Sequence, residues 1–341
     1  MAETAPATRP LERFGLDDAA LRALLRSMLL ERALDTRGFQ LNRQGKIPFA
    51  TGSEGHEGIH AGAGLAFARG RDAFFGYYRD MGLCLAIGLE PIAVLRSMFA
   101  RTTDVSSGRQ FPNHYSDRAL GIHAITSIIA AHCAHAVGVA AAFVYRCEHG
   151  RAVLCSFGDG ATSSGEWHEA MNYAAVHALP IVFLCENNGW AISTPLALQT
   201  RQPSIAAKAI AYGMPGVTVD GSDPLAVYAT VGDALRLARD GGGPTLVEAT
   251  CYRFLAHTTD DDDRTYRSRE DVAAERHRDP VPRFEATLRG AELIDDGALA
   301  ALRAEVMATV DDATDRAELE ALPTARDLTR NVYAGPHEPW R

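Results

Sequence analysis

From Asp17 to about Arg43 apolar residues recur at helical spacing, with Leu21, Leu24, Leu25, Met28 and Leu29 on one face. The same spacing predicts helices around Ile59 to Arg69 and Pro91 to Arg101, with a turn-rich loop from Arg43 to Glu57 ahead of them. Leu120 to Tyr145 contains no Asp, Glu, Lys or Arg and predicts a buried or subunit-interface helix; its Ala and Gly content argues against a membrane span. Further on, short apolar runs alternate with helical stretches. Ala152 to Phe157, Pro180 to Cys185, Gly216 to Asp220 and Thr245 to Thr250 predict strands, while Gly165 to His177 and Asp223 to Arg239 predict helices. This rhythm implies an α/β fold, a parallel sheet with helices on both faces. Ligands in such sheets bind beyond the carboxyl ends of the strands. Ile294 to Arg316 predicts a polar amphipathic helix, and the last twenty residues look irregular.

Composition narrows the partners. A net charge of -9 argues against a nucleic-acid footprint, which needs a basic patch. None of the six cysteines forms a C-x-x-C pair and several sit in apolar runs, so a reducing, cytoplasmic compartment is expected. Met1 to Pro10 carries no apolar core of the signal-peptide kind.

The chemistry concentrates where the first central strand ends. Gly158-Asp159-Gly160 follows it directly, and the next strand closes about 26 residues later at Glu186, followed by Asn187-Asn188. This sets a carboxylate and a pair of amides at two strand tips, hard oxygen ligands suited to Mg²⁺. The glycines let backbone approach a ligand, and the loop Ala161 to Gly165 opens a helix whose N-terminus suits an anion. A diphosphate held through Mg²⁺ fits these parts. In an ordinary turn, the same G-D-G would mean nothing.

G-D-G followed by N-N at this distance resembles the thiamine diphosphate signature. Glu186 to Pro195, Gly108 to Tyr115 and Val219 to Asp223 also resemble the alpha subunits of branched-chain 2-oxo acid dehydrogenases, and the likeness covers roughly residues 20–290. The resemblance implies an N-terminal extension (1–20), a thiamine-diphosphate-binding α/β domain (21–290) and a C-terminal helical tail (291–341). It implies oxidative decarboxylation of branched-chain 2-oxo acids, with acyl transfer to the lipoyl group of an acyltransferase component. The implied assembly is an α2β2 tetramer whose separate beta subunit supplies an activating Glu. Pyruvate or acetoin as substrate, or a cofactor-binding subunit without turnover, remain alternatives.

Carried over by the resemblance, Asp159, Asn188 and the Trp190 carbonyl bind Mg²⁺, while Gly158, Gly160 and Ala161 lie against the diphosphate. Tyr78, Arg79 and Arg253 hold the diphosphate, as the forked donors of Arg suit. Backbone carbonyls of Ser127 and Ile129 contact the aminopyrimidine ring, and His257 sits beside the cofactor to steer protons or substrate. Where some members bind potassium through Thr and Gln side chains, this chain has Ala131 and His132. The run Thr258 to Asp263 is either a solvated, mobile acidic loop or one that orders with cofactor. Since Thr258 follows His257, control by serine phosphorylation is not assumed.

His56-Glu57-Gly58-Ile59-His60 matches the zinc-peptidase motif H-E-x-x-H. In that motif both His and the Glu share one helix face. Gly55, Gly58, Gly62 and Gly64 weaken a helix here, so a zinc peptidase is a remote alternative.

Overall fold

The computed structural model describes residues 11, 14–330 and 332; most of the expected N-terminal extension and the end of the irregular C-terminus lie outside the described residues. In chain order the strands are β1 (Ala73–Phe75), β2 (Val153–Gly158), β3 (Ile181–Asn187), β4 (Trp190–Ala191), β5 (Thr194–Pro195), β6 (Gly216–Asp220) and β7 (Thr245–Thr250). Five form a parallel sheet in the order β1-β2-β3-β7-β6, while β4 and β5 make a small antiparallel clip. The predicted strands match within a residue or two. β1 was not predicted, because three residues are too few to show periodicity.

The helices are α1 (Asp18–Arg43), α2 (Glu57–Ala66), α3 (Met81–Ile87), α4 (Pro91–Met98), α5 (Ala131–Tyr145), α6 (Gly165–Val176), α7 (Leu196–Gln199), α8 (Pro224–Arg239), α9 (Arg269–Ala274), α10 (Pro280–Gly290) and α11 (Asp296–Leu319). Carboxylate N-caps start several of them: Asp17 accepts from Ala20 N at 2.7 Å, and Asp223 from Leu225 N at 3.0 Å with Pro224 in the first turn. Alternate residues of the central strands face opposite layers. Leu154, Val182, Leu184 and Val247 pack with α1, α2 and α8, whereas Cys155, Phe157, Phe183 and Leu246 pack with α5 and α6. On α1, Leu21, Leu24, Leu25, Met28 and Leu34 are at most 4% exposed, each worth about 1.5–3 kcal/mol of apolar burial. Together they fasten α1 to the sheet's outer layer.

Two expectations need correction. The apolar stretch from Leu120 is not one buried helix. Its first part runs extended beside β1, bridging Phe74 to Ile122 and Tyr77 to Thr126, and Ala130 at φ 64° turns the chain into α5. Ser127 and Ile129 therefore precede the helix. One face of α5 is exposed, through Ala134, His135, Gly138, Ala142 and Tyr145. The second correction concerns the glycines from Gly58 to Gly64: read as weakening a helix, they lie inside α2, the helix expected around Ile59 to Arg69. A Cβ on Gly62 would meet the Pro224 carbonyl at 2.4 Å, and one on Gly64 would meet Ala86 Cβ at 2.3 Å. Tertiary contact with α8 and α3 at this distance outweighs the cost of Gly in a helix, about 1 kcal/mol per residue.

Candidate cofactor site

Four neighbouring strands deliver the site from their carboxyl ends. Tyr78 and Arg79 follow β1, Asp159 follows β2, Asn188 follows β3, and Arg253 and His257 follow β7. They surround a cavity of about 530 Å³, which Tyr78, Arg79, Ser127, Ile129, Gly158, Asp159, Gly160, Ala161, Asn188, Trp190 and His257 all line. Arg253 lies just behind this lining and reaches the site through His257.

Both arginines are buried, at 2% exposure for Arg79 and 0% for Arg253. Among the described residues neither has a carboxylate partner. Arg79 donates to the Gly52 carbonyl and to His257 Nδ1 at 3.2 Å. Arg253 donates to the Ile192 carbonyl at 2.9 Å, Tyr266 Oη at 3.0 Å and His257 Nδ1 at 3.2 Å, and its Nε has no partner. Burial, then repulsion from Arg79, brings Arg253 down to about 10. Two buried cations without an anion are costly unless a ligand supplies the anion.

His257 Nδ1 receives two guanidinium donors, so it carries no proton; the ring's proton is on Nε2. Burial, then the two arginines, push His257 down to about 3, which makes it a neutral imidazole. Its backbone N donates to Asp261 Oδ2 at 2.7 Å, and that same oxygen accepts from Tyr266 Oη at 2.5 Å. Asp263 is 3% exposed and ion-paired to Arg267 at 2.7 Å. The acidic run is thus only partly solvated, because alternate aspartates turn inward to brace the loop.

Asp159 is 1% exposed, and burial raises its carboxyl above the usual range. Among the described residues it has no ion-pair partner; its Oδ2 accepts from Gln199 Nε2 at 2.7 Å. The paired amides divide their tasks. Asn187 Nδ2 donates to Glu248 Oε1 at 2.7 Å and ties β3 to β7, while Asn188 lines the cavity and its Oδ1 accepts from Trp190 N at 3.0 Å. Gly189 turns at φ 82° between them and the clip. A Cβ on Gly160 would stand 2.8 Å from Ala191 Cβ, so only glycine permits this close approach. Ile192, β-branched and at φ 54°, holds a strained backbone at the cavity wall. The donor set therefore fits the expected group: a buried unpaired carboxylate with amide oxygens for a hard cation, and two buried unpaired guanidiniums for a diphosphate.

Other wall residues also make specific contacts. His114 Nε2 meets Ser127 Oγ at 2.8 Å, and Phe49 packs edge-on to Phe111 at 5.7 Å. His132 Nε2 holds the Ser156 carbonyl at 2.7 Å. His114 and Phe111 lie in the Gly108 to Tyr115 motif, which flagged the segment without assigning roles, but Phe49 and Gln199 carry no signal in sequence. The zinc-peptidase alternative fails. His56, Glu57 and His60 are fully buried, Glu57 is committed to Arg32 and Gly55 N, and none of the three lines the cavity.

The family model for the dehydrogenase E1 component matches residues 25–326, and the chain belongs to that family. It is 41% identical over 324 residues to the 2-oxoisovalerate dehydrogenase subunit alpha of Bacillus subtilis, covering 95% of this chain and 98% of the relative. It is 42% identical over 275 residues to the 3-methyl-2-oxobutanoate dehydrogenase subunit alpha of Mycobacterium tuberculosis, covering 80% and 72%. Against the human mitochondrial 2-oxoisovalerate dehydrogenase subunit alpha the figures are 35% over 311 residues, 91% and 69%. Membership implies thiamine diphosphate as cofactor and a beta subunit as partner. Among the described residues no helix is long and apolar enough to cross a membrane.

Proposed function

We propose that this chain is the alpha subunit of an α2β2 enzyme that oxidatively decarboxylates branched-chain 2-oxo acids and passes the acyl group to a lipoyl domain of its acyltransferase partner. The relatives' names favour this substrate class over pyruvate or acetoin. The observation that carries the cofactor assignment is the pair of buried guanidiniums of Arg79 and Arg253, without a carboxylate partner among the described residues, at the same site as the buried Asp159, which has no ion-pair partner there.

In this reading Arg79 and Arg253, with Tyr78, bind the diphosphate, and Gly158, Gly160 and Ala161 let backbone lie along it. Asp159, Asn188 Oδ1 and the Trp190 carbonyl hold Mg²⁺, a hard cation suited to oxygen donors. The carbonyls of Ser127 and Ile129 face the aminopyrimidine. Thiamine diphosphate, when bound, supplies a nucleophilic carbon and an electron sink for loss of CO₂. His257, neutral with its proton on Nε2, donates to a substrate oxygen and stabilises charge developing there. The exposed small-residue face of α5, with Tyr145 at 90% exposure, offers the beta subunit a close approach. All six cysteines are free, which suits a cytoplasmic enzyme.

Calorimetric titration of thiamine diphosphate into the chain co-purified with its beta partner tests the site. Binding should require Mg²⁺ and vanish in Asp159→Ala; a folded complex that binds nothing would refute the assignment. Turnover of 3-methyl-2-oxobutanoate against pyruvate then tests the substrate class.

A further inference from the structure

The His56/His60 motif plays no part in the function proposed above, yet both rings are 0% exposed and end a continuous hydrogen-bonded relay. The relay's outer end is the amide of Asn188. Its Oδ1 accepts from Trp190 N, and its Nδ2 lies 3.3 Å from His56 Nε2. An amide nitrogen only donates, so His56 Nε2 accepts and the ring proton sits on Nδ1. That proton points at Glu186 Oε2, 2.7 Å away.

Glu186 is itself locked. Its Oε2 also receives His60 Nε2 at 3.1 Å and Tyr77 Oη at 3.0 Å. The other nitrogen of His60 lies 2.6 Å from Glu31 Oε1 on α1. Burial opposes charge on His60, but Glu31 and Glu186 outweigh it and hold the ring above the ordinary imidazole range. α2 and the turn after β1 thus converge directly on Glu186 of β3, with α1 behind His60, and Glu186 in turn holds the His56 imidazole whose free lone pair meets one amide.

We propose that His56 is a positioning residue for the cofactor's metal: by accepting from Asn188 Nδ2 it fixes which end of that amide is presented to the cation. It rests on the metal role proposed above for Asn188. An amide free to rotate would also present its NH₂ group, which repels a cation. Partners behind a metal ligand orient it in this way, and their loss typically costs about 10–100-fold in metal affinity.

The test measures the apparent Mg²⁺ affinity at fixed thiamine diphosphate in the complex with the beta subunit, with thermal melting as a check on folding. His56→Phe should weaken Mg²⁺ about 10–100-fold. His56→Gln, whose Oε1 can accept from Asn188, should stay within about threefold of wild type. His56→Phe combined with Asn188→Ala should bind no more weakly than Asn188→Ala alone, because the two act through one contact. Should the phenyl ring prevent folding, His56→Leu makes the same deletion, and a tenfold loss in His56→Gln overturns the proposal by itself. Full Mg²⁺ affinity in His56→Phe, or strictly additive losses, also overturns it. Undiminished binding in Asn188→Ala overturns the cofactor assignment and this proposal with it, whereas dependence on Asn188 with indifference to His56 overturns this proposal alone.

Discussion

Arg253→Met separates the cost of the buried charge pair from its use. The two guanidinium nitrogens that share His257 Nδ1 are each 3.2 Å from it, so they lie at most about 6.4 Å apart. Two positive charges at that separation repel by about 3 kcal/mol at an effective dielectric constant of about 20. The position of Arg253 near 10 corresponds to a similar cost for its charged form, about 3 kcal/mol. Removing the charge relieves that repulsion but strips the Ile192 carbonyl and Tyr266 of a charged donor, each worth about 1.5–3 kcal/mol. The opposing effects should leave the ligand-free complex within about 3 kcal/mol of wild type. Binding has no such offset. The diphosphate loses one of two buried cationic partners, which costs about 2–5 kcal/mol, or about thirtyfold to several-thousandfold in Kd. Calorimetric titration with Mg²⁺ at constant ionic strength reads the Kd. Thermal unfolding gives an independent measure, because ligand at about 100 times its Kd stabilises the wild type by about 2.7 kcal/mol and should add little to the variant. A Kd within threefold of wild type would show that Arg253 does not hold the diphosphate.

Three further outcomes follow from named contacts. His257 is held near 3 in the folded chain, below the unfolded value of about 6.5, so its contribution to stability is present above about pH 6.5 and lost as pH falls toward 3. Urea unfolding of the ligand-free protein at pH 7 and pH 5 should show a loss of up to about 2 kcal/mol that His257→Gln lacks; parallel losses would refute it. Asp263→Asn leaves Arg267 buried without its carboxylate and should cost about 3–5 kcal/mol. Limited proteolysis within 258–268 should accelerate, and an unchanged cleavage rate would count against the bracing role of Asp263. Gly62→Ala, despite the better helix propensity of Ala, should lower stability by about 1–3 kcal/mol because the new methyl meets the Pro224 carbonyl; a raised melting temperature would contradict the close packing of α2 on α8.

The strands were legible because central parallel strands bury both faces. β2 and the first part of β3 therefore read as mostly apolar runs, and the residues at and just past their ends stood out as polar. That is why Asp159 and Asn188 could be set at neighbouring strand tips from the pattern alone, whereas Arg253 and His257 came only from the family resemblance. What stayed hidden depended on partners distant in sequence. Glycines at 58, 62 and 64 count against a helix locally, and only the approach of the Gly221 turn, α8 and α3 shows what they permit. The apolar stretch from Leu120 has a helix-compatible composition throughout, yet pairing with β1 keeps its first part extended. In the acidic loop, nothing in four consecutive aspartates tells which turn inward; Asp261 and Asp263 are selected by His257 N, Tyr266 and Arg267.

The H-E-x-x-H segment, His56 to His60, cannot act as a zinc peptidase here. A zinc peptidase needs both rings and the carboxylate free to face a metal and an open cleft. Here the nitrogens are already assigned: His60 lies between Glu31 and Glu186, His56 lies between Glu186 and Asn188, and Glu57 is bound by Arg32. Both histidines thus serve the interior. At the strand ends, among the described residues, two buried cations and one buried anion stand without ion-pair partners in or just behind the wall of a single cavity. Folding alone does not balance them, whereas a metal diphosphate answers both signs at once. The cavity's rim poses a separate demand, since Phe111, Ile128 and Ile192 remain more than half exposed around it. A diphosphate cannot satisfy apolar groups, and the division of the site between two subunits proposed above would cover the rim.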